Sequence, residues 1–151
     1  MATLLIAALI VVLLSLALAT MDGLAAGRWY HRAVYFGVAV WGTGKVAQTL
    51  GANGVLPMGE ALSFYPILVG IVAGDFVDCE VFGQECFWRR SRPEPDRPRW
   101  LAGAALFAGA GLALVFLGFS TPADLRDFLL AVLFAVLLNH LWGLWRRRRS
   151  T

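Results

Sequence analysis

Lys45 and Gln48 are the polar side chains that interrupt the otherwise apolar stretch 33–50. At helical spacing Gly37, Trp41, Gly44 and Gln48 share one face, with Lys45 at its edge. An ammonium near the centre of a bilayer is unfavourable by roughly 2.5–3.5 kcal/mol on insertion scales. Such a group needs a carboxylate, a water-filled cavity or a path for its stem to the headgroups. Glu60 is the nearest carboxylate across the turn that follows, and Lys45 is close enough to the end of its stretch to snorkel. Two chemistries remain open: Trp41, Lys45, Gln48 and Glu60 as a polar surface lining water, or Lys45 as a cation at the headgroups.

Three carboxylates, Asp75, Asp78 and Glu80, form the second group, close in sequence to Arg89 and Arg90. Clustered carboxylates can move protons or bind metal, but at the end of an apolar stretch they read first as interfacial charges neutralised by neighbouring arginines. His31 and His140 lack the further ligands that a metal or haem site needs. Asn139, beside His140, suits a hydrogen bond between helices. Six residues separate Cys79 from Cys86, which is neither the redox-pair spacing nor a four-ligand zinc pattern, so two unpaired thiols are expected. There is no phosphate loop, nucleophile elbow, zinc motif or dinucleotide fingerprint. No cofactor or metal is expected, and the pattern points away from an enzyme.

The elements that must position these residues follow from composition. Of 151 residues 59% are hydrophobic and 15% charged, and mean hydropathy is +0.68. A soluble domain of this size carries about a quarter charged residues. The chain is therefore expected to be an all-α integral membrane bundle, a single membrane domain. At about 20 apolar residues per crossing, five transmembrane helices fit, over residues 3–21, 33–50, 61–77, 100–119 and 125–145. Residues 78–99 form the hydrophilic loop and residues 146–151 a basic tail. Ser120, Thr121 and Pro122, followed by Asp124, suit the start of the last helix.

Net charge is +3, and twelve of the thirteen cations are arginine. Beside apolar segments those arginines reflect topology and anionic headgroups before nucleic acid, and no nucleic-acid partner is expected. With the N-terminus outside and the C-terminus inside, the cytoplasmic segments hold eleven cations and the outer ones only Arg126, while Lys45 lies within a span. That bias predicts an N-outside, C-inside protein of the inner membrane. Trp29, Trp88, Trp100, Trp142 and Trp145 fall at the same predicted ends, where indoles sit at headgroup depth.

Membrane helices associate through small residues and hydrogen bonds, because lipid is as apolar as leucine. Gly59, Ser63, Pro66, Gly70 and Gly74 make one stripe; Ala105, Gly109 and Ala113 a second; Ala131, Ala135, Asn139 and Gly143 a third. Gly70, Gly74, Gly109 and Asn139 are thus candidate packing residues, within one bundle or between copies. Arg146, Arg147, Arg148 and Arg149 are candidate contacts to lipid headgroups.

The uncharged opening stretch, the basic turn Arg28-Trp29-Tyr30-His31-Arg32, the semi-polar stretch with Lys45 and Gln48, the Gly/Pro turn after it and the arginine tail resemble the small multi-span holins of bacteriophages. The likeness lies in hydropathy and charge, over about the first half of the chain plus the tail. It implies a protein that accumulates in the inner membrane, self-associates and permeabilises it. Two other functions fit the same elements: a non-catalytic anchor or scaffold subunit of a larger complex, with membrane lipids and other subunits as partners, and a small dimeric transporter.

Overall fold

A computed structural model describes residues 28–54, 62–83, 96 and 98–149. Among them all regular structure is helical, in four helices: α1 (Trp29–Ala52), α2 (Tyr65–Phe82), α3 (Arg99–Phe116) and α4 (Pro122–Arg149). The expected first span, residues 3–21, lies outside the described residues, as do Gly59, Glu60 and Trp88. Two helices, α3 and α4, are long and apolar enough to cross a membrane. The carboxylates of α2 and the polar positions of α1 keep those two helices from standing out by composition alone.

Most boundaries follow local chemistry. The last helix begins with a capping box: the Asp124 amide donates to Thr121 Oγ1 (3.2 Å), and the Thr121 amide donates back to Asp124 Oδ2 (3.3 Å). Pro122 stands at the first helical position, where its missing N–H is harmless. At the other end α4 runs through Arg149, so the arginines expected in a tail continue the helix.

The expected hydrophilic loop begins later than residue 78. Helix α2 continues to Phe82 and ends at Gly83, whose φ of +68° suits glycine and whose N–H donates to the Cys79 carbonyl. Asp78, Cys79 and Glu80 are consequently helical and buried. Charge marks a loop only where the charges face water, and these are taken up by other helices.

Small residues set the packing. A Cβ on Gly70 would lie 2.6 Å from the Ala131 Cβ, and one on Gly74 would lie 2.7 Å from the Ala135 Cβ. The stripe of α2 therefore meshes with that of α4. Gly109 of α3 approaches the Ala33 carbonyl of α1 less closely, at 3.1 Å for a built Cβ. A core of Phe36, Val40, Tyr65, Val69, Ala73, Phe76, Leu106, Leu114 and Phe128 fills the space between the helices. Sequential helices alternate in direction, so the start of α1, the end of α2, the start of α3 and the end of α4 share one end. Arg28, Arg32, Arg99 and Arg146 to Arg149 gather there, with Trp29, Trp100, Trp142 and Trp145.

Candidate functional site

Near that basic end the three carboxylates of α2 meet partners from two other helices. Asp75 and Asp78, three residues apart, point to one face of α2, the face that Gly70 and Gly74 bring against α4. Glu80, two residues beyond Asp78, points the other way, toward α1. All three are at least 96% buried, at relative exposures of 4%, 1% and 1%.

Each partner is polar. Asn139 Nδ2 donates to Asp75 Oδ1 at 2.7 Å. His140 Nδ1 lies 3.2 Å from Asp78 Oδ1 and 3.0 Å from the Val136 carbonyl. The Val136 carbonyl and the Asp78 carboxylate thus face the same ring nitrogen, whose role as donor depends on the tautomer. The Phe82 ring stands edge-on to the imidazole, centroids 4.8 Å apart. On the other side of α2, Arg32 Nη1 lies 3.5 Å from Glu80 Oε1. The guanidinium itself is buried, which in an apolar bundle is tolerated only with a counter-charge.

Across helix interfaces Arg32 and His140 stand beside the carboxylates of α2, while Arg89 and Arg90 lie outside the described residues. Sequence proximity pointed to those arginines. The signal for these cross-helix neighbours was helical phase: Asp75 and Asp78 continue the small-residue stripe of α2, and Asn139 continues that of α4. Among the described residues no group of three or more His, Cys, Asp or Glu side chains is arranged to hold a metal ion.

Expectation for the cysteines is corrected. Cys79 is disulfide-bonded, and no described cysteine is free. The chain's other cysteine, Cys86, lies outside the described residues. A separation of six residues fits neither a redox pair nor a zinc pattern, yet it leaves room for a structural bond.

The residues proposed as a polar face of α1 divide. Gly37 and Gly44 turn inward, against Gly109 and against Leu117 and Tyr65. Gln48 Nε2 donates to the Leu117 carbonyl at the end of α3, 2.7 Å away. Trp41 and Lys45 lie on the outer side and are exposed. Glu60 is outside the described residues. One further hydrogen bond joins α1 to α2: the buried Tyr65 hydroxyl donates to the Val40 carbonyl, near the middle of α1, at 2.5 Å.

Arg146, Arg147, Arg148 and Arg149 are exposed on the last turn of α4. The Arg149 guanidinium sits 3.8 Å above the Trp145 ring and that of Arg146 5.5 Å above the Trp142 ring. Comparison of the chain with protein-family models, curated proteins and solved structures returns no match.

Proposed function

We propose that the chain is a multi-pass inner-membrane protein with five spans, N-outside and C-inside, that self-associates and permeabilises the membrane in the manner of a holin. The observation that carries this reading is the inverted distribution of polarity. Leu129, Leu130, Leu133, Phe134, Leu137, Leu138 and Leu141 of α4 are all exposed, while Asp75, Asp78, Glu80 and Arg32 are enclosed. A lesion must present a polar surface to water, and this bundle holds one shut inside itself. Parting α4 from α2 along Gly70 and Gly74 would uncover it.

The small-residue stripes are occupied within the chain, so association between copies uses the exposed apolar faces of α1 and α4. The closed cluster also favours a second function, a static anchor or scaffold subunit, since polar contacts between α1, α2 and α4 hold three helices in one arrangement. Inducing the gene in a bacterial host separates the two. Abrupt loss of membrane potential after a delay supports permeabilisation, and Lys45→Leu then weakens the lesion if the outer face of α1 meets water. Sustained growth with intact potential supports the scaffold.

Orientation rests on the arginine bias, distributed over three segments. It places Cys79 at the cytoplasmic end, where thiols are kept reduced, so the bond would form only when oxidising conditions reach it. A reporter fused after Thr151 that is active in the periplasm would overturn the orientation and account for the bond together.

A further inference from the structure

Beside the ionic cluster, an open groove of about 600 Å³ runs between the end of α2 and the last turns of α4. Its chemistry is graded. Phe82, Trp142 and Leu144 supply apolar walls, His140 and Asn139 supply polar atoms, and Arg146 and Arg147 supply positive charge. Asp78 and Asp75 lie behind the two polar residues: Asp78 Oδ1 is 3.2 Å from His140 Nδ1, and Asp75 Oδ1 accepts from the Asn139 amide and orients it.

We infer that this groove is a binding site for one anionic phospholipid, its phosphodiester held by Arg146 and Arg147 and an acyl chain laid along Phe82 and Leu144. The inference rests on the membrane reading above. Charge complementarity selects the occupant: two adjacent guanidiniums present a fork of N–H donors matched to phosphate oxygens. Each guanidinium carries five donors, so Arg146 can keep its place above Trp142 and still serve a phosphate. The apolar wall distinguishes a lipid from a free anion, which would have no use for Phe82 or Leu144. The level fits as well, since the groove lies among the tryptophans of the basic end, where headgroups meet hydrocarbon.

The test uses the full chain, purified in detergent and placed in bilayer discs of phosphatidylcholine with or without phosphatidylglycerol. Bound lipid is counted by native mass spectrometry after gentle release. Phosphatidylglycerol is expected to stay bound in preference to phosphatidylcholine. R146Q/R147Q should weaken that binding by roughly tenfold or more, from the loss of two cations near the headgroups. R148Q/R149Q removes the same charge from outside the groove and should change it by less than about threefold. Leu144→Trp keeps all four arginines but fills the groove, and should release the lipid too.

Equal losses in the two arginine pairs would reduce the effect to general basic attraction and overturn the site. So would retention of the lipid in Leu144→Trp, or displacement of the lipid by excess inorganic phosphate alone. These failures leave the membrane reading standing. That reading fails separately, if the chain is recovered from cells as a dispersed monomer without detergent.

Discussion

Helices α2 and α4 lie against each other and reverse the rule for water-soluble proteins. The first carries three carboxylates and is the most enclosed helix of the bundle; the second is rich in leucine and leaves most of it uncovered. In water this pairing would expose a large apolar face and bury charge, both unfavourable. In lipid the same arrangement satisfies both helices. Leucine is indifferent to the exchange of lipid for protein, and ionised groups find partners only inside. The contrast is what the proposed membrane location requires, with specificity carried by polar contacts.

The largest expected effect breaks the enclosed side of that contrast. Arg32→Leu leaves Glu80 buried without its guanidinium and should destabilise the folded bundle by about 3–5 kcal/mol, read as a lowered midpoint of unfolding in mixed detergent. Arg32→Leu with Glu80→Leu should recover much of the loss, because two matched apolar groups replace the pair. Absence of a penalty in the single variant would mean that burial of α2 does not depend on compensated charge.

Next comes the uncovered side. Leu133, 65% exposed near the middle of α4, should resist replacement by lysine. Leu133→Lys is expected to lower insertion by about 3 kcal/mol on the translocon scale, measured as the fraction of protein resistant to carbonate extraction. A soluble bundle would accept the same surface change within about 0.5 kcal/mol, so an indifferent result breaks the contrast outright.

The smallest effect sharpens the seam between the two helices. In Gly74→Ala the new methyl meets Ala135 and the Val132 carbonyl, each 2.7 Å from its position. Overpacking of this kind should destabilise by roughly 1–3 kcal/mol and loosen α4 first, visible as faster hydrogen exchange there. Gly42→Ala, with nothing within 4 Å of the added atom, serves as the matched control and should be neutral.

Much of this was legible beforehand, and for identifiable reasons. Hydropathy foretold that the described residues are helical, because apolar length is a property of the chain alone. Thr121, Pro122 and Asp124 announced the start of α4, because a capping box is built from neighbours in sequence. Two features were not legible. Asp78 and Glu80 read as loop because their partners, His140 and Arg32, are distant in the chain. Cys79 read as a free thiol because bond formation depends on how the fold brings two cysteines together, which spacing alone does not fix.

By itself, then, the order of residues determined that the described residues are helical and that the chain is apolar with a basic C-terminal stretch, since length, hydropathy and charge are additive along a polymer. Only the tertiary structure decided which side chains complete one another. Helical phase brings Asp75 to Asn139, Asp78 to His140 and Glu80 to Arg32 across interfaces, and a charge can enter an apolar interior only when the fold delivers its counterpart to the same place.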